Sequence, residues 1–166
     1  MVQQLLILGV LHEGKMHGYK LNEYVSHAMG MYTDVKKSTL YYTLEKLEAG
    51  GYITKELEKE GRRPERRVYE ITETGRAYFL ELLREHLRNY NRAYFADDIA
   101  IMFMNRLPTD EIRLLLEEKR KEIREILQQF QNHPDLDGYQ QYVISHNIAH
   151  LEADIHWIDK MQQELK

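Results

Sequence analysis

Residues 34–53 read DVKKSTLYYTLEKLEAGGYI, and the order of residue types in this stretch decides how the first half of the chain folds. Leu40, Leu44 and Leu47 recur at helical spacing and supply one apolar stripe. Gly50-Gly51 ends that helix, because glycine takes up the left-handed conformation of a helix C-terminus at little cost. Beyond it the apolar period shortens to that of a strand. Residues 52–57 alternate, EKEGRRPE at 58–65 reads as a loop, and residues 67–71 return as a second strand. The helix entry has a different chemistry from its interior. Lys36, Lys37, Ser38 and Thr39 gather there, Tyr41 and Tyr42 follow, and Thr33 or Asp34 is the expected N-cap. A helix built only to pack does not need cations, hydroxyls and phenols at its entry. Either an external partner reads that end or water does.

Outward from this stretch, an apolar helix through Leu5, Leu6, Leu8 and Leu11 ends at Glu13-Gly14. HGYKLNEYVSHAMG at 17–30 follows, with Tyr19, Leu21, Tyr24, Val25 and Ala28 at helical spacing and Gly30 as its stop. Three short helices and a β-hairpin make a winged helix-turn-helix over residues 1–76. Thr72 is the expected cap of the next helix, with Gly75 in its first turn and Phe79, Leu82, Leu83 and Leu87 along it. The chain bends near residues 88–92 or continues helical to Pro108, after which Thr109 or Asp110 caps another helix. Two seams with steps of four and three then follow. The first is Ile112, Leu116, Lys119, Ile123, Ile126, Phe130; the second is Ile144, Ile148, Leu151, Ile155, Ile158, Gln162, Leu165. They predict two long amphipathic helices broken by HPDLDG at 133–138 and packed antiparallel. One such pair leaves part of its apolar surface uncovered. Residues 77–166 are therefore expected to dimerise through Ile144, Ile148, Leu151, Ile155 and Ile158, with Lys119 and Gln162 either fixing register or lying at an exposed end. The fold class is mainly α with a small β-wing: an N-terminal winged helix-turn-helix, then long C-terminal helices forming a dimer interface.

Composition bounds the function. Hydrophobic residues make up 43% and charged residues 30% of the 166, the balance of a folded globular chain. There is no cysteine, which excludes disulfides, thiolate nucleophiles and zinc ribbons and fits a reducing compartment. No apolar run approaches the roughly 20 residues of a membrane span. MVQQLLILGVLHEG lacks the basic start and small-residue cleavage site of a signal peptide, so a cytoplasmic location is expected. The net charge is −4, unevenly spread. Residues 1–80 carry 12 Lys/Arg against 11 Asp/Glu, and residues 81–166 carry 11 against 16. Four arginines crowd RRPERR at 62–67. No nucleophile–base pair, glycine-rich phosphate loop or HExxH occurs, so no enzyme and no cofactor are expected. His146 and His150, with Asp154 a turn further, have the spacing of metal ligands on one helix face. They fall off the isoleucine seam and lack a fourth ligand, and no metal site is assigned.

Three motifs share a pattern: His17-Gly18-Tyr19-x-Leu21; Ser38-Thr39-Leu40-Tyr41-x-x-Leu44-x-x-Leu47-Glu48; and Arg63-Pro64-x-Arg66-Arg67-x-Tyr69-x-Ile71-Thr72-x-x-Gly75. In this order and spacing the chain resembles the PadR family of transcriptional regulators, in its longer branch with a helical dimerisation region. Tyr42 departs from the proline that many members place after the motif tyrosine. The resemblance implies a homodimer whose third helix enters the major groove of a pseudo-palindromic operator and whose wing touches the backbone or minor groove. It implies a repressor that responds to a small hydrophobic or aromatic compound or to stress, without naming that effector.

On this reading Lys36, Lys37, Ser38, Thr39 and Tyr42 contact double-stranded DNA from the third helix, with Tyr41 partly in the core. Arg62, Arg63 and Arg66 contact it from the wing. The bland alternative for these residues is a solvated helix end and a strand pair laced by weak ion pairs with Glu58, Glu60 and Glu65. Tyr94, Phe95, Met102, Phe103 and Trp157 are the candidates for an effector pocket between the two regions, against the plainer reading of an ordinary core. The rival function is a winged-helix protein-interaction adaptor without sequence-specific DNA binding. Salt dependence separates the two, since only phosphate contacts weaken steeply as salt rises.

Overall fold

The computed structural model describes residues 1–30, 33–59, 66–132 and 138–165. They form two compact units, Met1–Arg92 and Ala93–Lys166. In the first, α1 (Val2–His12) buries Ile7, Leu8 and Leu11. A two-residue strand β1 (Met16–His17) leads into α2 (Gly18–Glu23), which continues as a wider π-helical turn over Tyr24–Ala28. Helix α3 (Lys37–Ala49) buries Leu40, Thr43, Leu44 and Leu47, and β2 (Ile53–Glu58) and β3 (Arg66–Ile71) form the antiparallel hairpin. The stripe leucines join Leu21, Val25, Ile53, Tyr69, Ile71 and Leu82 in one core. The strand order is β1-β3-β2, with Met16 opposite Tyr69 and His17 opposite Val68. Strand β1 escaped the sequence reading because two residues carry no period.

Two boundaries differ from expectation. Helix α3 begins at Lys37 with Lys36 as N-cap, not Thr33 or Asp34. Val35 packs against the core ahead of the helix and the backbone stays extended through Lys36, so the first intrahelical bond is Leu40 N–H to the Lys36 carbonyl. The first unit also extends beyond residue 76. Helix α4 (Glu73–Arg88) packs on α1 and places Leu82 in the core.

The exit of α3 is closed by two bonds, Gly51 N–H to the Glu48 carbonyl and Tyr52 N–H to the Leu47 carbonyl, both 2.9 Å. This pairing needs a left-handed residue, and Gly51 has φ +73°. Gly51→Ala meets open space and pays only for backbone conformation, an expected loss of about 1 kcal/mol, measurable by urea denaturation. The same corner receives α4. The Thr72 hydroxyl accepts from Gly75 N–H (3.0 Å) and lies 2.8 Å from the Gly51 carbonyl and 3.1 Å from that of Tyr52. Thr72 N–H donates to the Tyr52 carbonyl as well. The Tyr52 ring stacks on Tyr78 at 4.2 Å, and Tyr78 donates to Gln4 of α1.

Burial pushes the Tyr69 phenol above 10.0, against the lowering effect of Arg67; burial, then Tyr52, Glu81 and Glu85, does the same to Tyr78. The fold thus favours the neutral phenols, so this stability is complete below the unfolded value and is lost as pH rises through the raised one. Denaturation midpoints are expected to fall above about pH 10, and less steeply in Tyr78→Phe.

In the second unit, α5 (Asp97–Phe103) and a 3-10 turn, Met104–Arg106, precede α6 (Thr109–Gln131) and α7 (Gln140–Glu164). Pro108, not Thr109 or Asp110, occupies the N-cap of α6, its fixed φ suiting an extended entry. The two long helices pack antiparallel around Ile112, Ile123, Phe130 and Ile158. Their register is held by Arg120 donating to Asp159 (2.6 Å) and by Arg113 donating to the Gln162 and Leu165 carbonyls at the end of α7. Arg120 also holds the Glu117 carboxyl below the usual carboxylate range. Gln162 reaches back to the Arg113 carbonyl, whereas Lys119 pairs with Asp97 of α5. Ile158 is 1% exposed and Ile144, Ile148, Leu151 and Ile155 are half-buried within one chain, because α6 covers much of their seam. Leu114, at 68% exposure, Leu115, Ile99 and Tyr142 are instead open.

Candidate nucleic-acid interface

Because the leucines of α3 face inward, Ser38, Tyr42, Glu45, Lys46 and Ala49 form its exposed face. Lys36 and Lys37 are exposed at the entry, and no side chain caps that end of the helix. Two cations stand where the helix dipole is already positive, an arrangement that an anion relieves. Thr39 is half-buried, and its carbonyl accepts from the Thr43 hydroxyl (2.7 Å). Tyr42 is 57% exposed, and Lys46, one turn on, places its ammonium 4.7 Å from the ring centre. Tyr41 packs against the core. Lys46 belongs to the exposed face with Tyr42, and the four-residue spacing was the available signal.

The wing base is a stack. Arg66, paired in register with Glu58, lies 5.4 Å over the Tyr19 ring, and Tyr19 stacks on His17 at 5.5 Å. The second ring nitrogen of His17 comes within 3.9 Å of Glu58. His17 occupies the N-cap of α2 without a capping hydrogen bond, so its role is packing beside Tyr19 and Glu58. Tyr19 was missed as a neighbour of Arg66 because they are far apart in sequence. Arg67 falls on the other face of β3 with Tyr69, and its positive charge opposes the rise in the Tyr69 phenol's pKa. Arg62 and Arg63 lie outside the described residues.

The second unit contains a cavity of about 250 Å³ between α5, α6 and α7. Phe103 and Trp157 line it, with Met104, Leu116 and Met161; Tyr94, Phe95 and Met102 do not. The first two precede α5, and Met102 points from the opposite side of that short helix to solvent. His146 and His150 bring their ring nitrogens to 3.2 Å, but among the described residues no three metal-ligating side chains converge. Among those residues, too, no helix is long and apolar enough to cross a membrane.

Residues 7–81, from the middle of α1 into α4's third turn, match the model of the transcriptional regulator PadR-like family. The match covers a little under half of the chain and likens this segment to the PadR-like regulators. The matched segment contains the whole of α3, the hairpin and the Thr72–Gly75 corner. Over 85 residues the chain is 31% identical to the negative transcriptional regulator PadR of Bacillus subtilis, a match covering 51% of this chain and 47% of that protein. The matched stretch thus spans about half the length of the curated relative. Two crystal structures of Bacillus subtilis PadR share the fold. That in complex with operator DNA has a TM-score of 0.83 at 20% identity and covers 100% of both chains. That in complex with p-coumaric acid has a TM-score of 0.81 at 18% identity and covers 99% of both.

Proposed function

We propose that this PadR-like protein is a cytoplasmic, DNA-binding transcriptional repressor that acts as a homodimer and is released by a small hydrophobic or aromatic effector. The observation that carries the reading is the entry of α3: Lys36, Lys37 and Ser38 exposed, with no side-chain cap, at the end of a helix held from behind by Leu40, Leu44 and Leu47. First-turn amides and lysines there suit phosphates, while Tyr42 and Lys46 reach towards base edges. Arg66 supports the wing, and Arg62 and Arg63 belong to the same reading. Residues 1–76 carry the DNA contacts, and the helical remainder dimerises and holds the effector.

Dimerisation draws support from the open apolar side chains of α5 and α6 together with the half-buried Ile144, Ile148, Leu151 and Ile155 of α7. Two recognition helices then address half-sites about one helical turn apart. The relative solved with operator DNA and with p-coumaric acid supports the same two partners, and the C-terminal cavity supplies room for the second. An effector acts by binding one arrangement of the dimer better than another.

Fluorescence anisotropy with the duplex upstream of the protein's own gene, against a scrambled duplex across a salt series, tests this. The expected result is sequence preference with affinity falling steeply as salt rises. Equal, salt-insensitive binding to both duplexes would replace the repressor with a protein-interaction adaptor.

A further inference from the structure

We propose that His146 and His150 of α7 form a two-ligand chelate for a divalent transition-metal ion on the exposed face of that helix. Residues four apart on a helix are neighbours on one face, and both imidazoles are exposed. Spacing alone goes no further than that; the fold adds the convergence of two nitrogens. The Nε2 atoms lie 3.2 Å apart while the ring centres lie 4.6 Å apart, so the rings approach each other through those atoms. The planes are inclined at 71°, so the contact is not face-to-face stacking. A transition ion holds imidazole nitrogen at about 2.0–2.1 Å, which sets two adjacent ligands about 2.9 Å apart at a right angle and about 3.4 Å apart at the tetrahedral angle. The observed separation falls between these limits. The pair closes on an ion with almost no movement.

The plainer role for the contact is a hydrogen bond from one neutral ring to the other, which occupies the same two nitrogens. An ion displaces that bond without net proton release. The donor ring gives up its Nε2 proton to water and takes one at Nδ1, which leaves both Nε2 lone pairs for the metal. Asp154, one turn beyond His150 and exposed, adds negative charge on the same stretch. Among the described residues no third ligand converges on the pair, so the remaining coordination positions belong to water. Imidazole suits nickel, copper and zinc, whereas magnesium keeps oxygen ligands. The two histidines come from successive turns. Their geometry therefore exists only while α7 is helical, and a bound ion stabilises the second unit.

Calorimetric titration of the full chain with nickel chloride tests this, at about pH 8, where ordinary imidazole is neutral. A saturable site is expected, and His146→Ala and His150→Ala should each weaken it by roughly tenfold or more, because the second ligand acts intramolecularly. Excess magnesium chloride should not compete, and copper should bind more tightly than nickel. Nickel should raise the thermal midpoint of the parent and leave that of the double variant where it was. His156→Ala, exposed on the same helix, is the control and should bind like the parent. Equal affinity in the parent and the double variant, loss of the site in His156→Ala, or full competition by magnesium overturns the chelate. So does a parent that takes up neither nickel nor copper.

Discussion

Gly75→Ala is expected to lower the stability of the N-terminal unit by about 3 kcal/mol, a fall of roughly 15 °C in its thermal midpoint. A Cβ at this position would lie 1.9 Å from the Tyr52 carbonyl oxygen and 2.9 Å from Ile71 Cγ1. The first of these is backbone, and it already accepts Thr72 N–H. It cannot move without breaking the junction of α3, β2 and α4. Gly51→Ala is the internal comparison, because it strains one φ angle and meets no atom. The expected order of damage is therefore Gly75 well ahead of Gly51. Calorimetry on both variants checks it, and a Gly75→Ala midpoint close to the parent's would contradict the packing described for this corner.

The double variant Lys36→Ala/Lys37→Ala is expected to reduce operator affinity more than tenfold at low salt and to flatten the plot of log affinity against log salt by about 2. Stability should respond in the opposite sense. Both side chains are exposed, and both place positive charge at the positive end of a helix dipole, so their removal leaves the thermal midpoint unchanged or slightly higher. This pairing of weaker binding with intact or improved stability separates a DNA contact from a structural residue. An unchanged salt slope would remove both lysines from the interface.

Much of the first unit was legible because its signals are local. The leucines of α3, the glycine stop, the alternating strands and the Thr72 cap each depend on residues within one or two turns. Strand β1 and the delayed start of α3 were not legible, since one is two residues long and the other is set by Val35 meeting a distant core. In the second unit the four-three seams gave the α6–α7 pair. The partner of Lys119 was hidden because Asp97 sits on a helix whose limits the sequence left open. The candidate site divides in the same way. The exposed lysines, Ser38 and Tyr42 follow from helix phase, whereas the seat of Arg66 on Tyr19 depends on β1 and the start of α2 lying beside the hairpin. Of the five residues assigned to a pocket by softness alone, Phe103 and Trp157 line the cavity, because composition does not say which side of a short helix a residue occupies.

The shared acceptor at Tyr52 also governs how the first unit transmits force. One carbonyl receives the backbone of Thr72 and lies within reach of its hydroxyl, which bonds the exit of α3 and caps α4. Stiff coupling of this kind leaves no joint between α3 and α4. A torque applied along α4 reaches α3 as rotation of a single body, with little lost to bending at the corner.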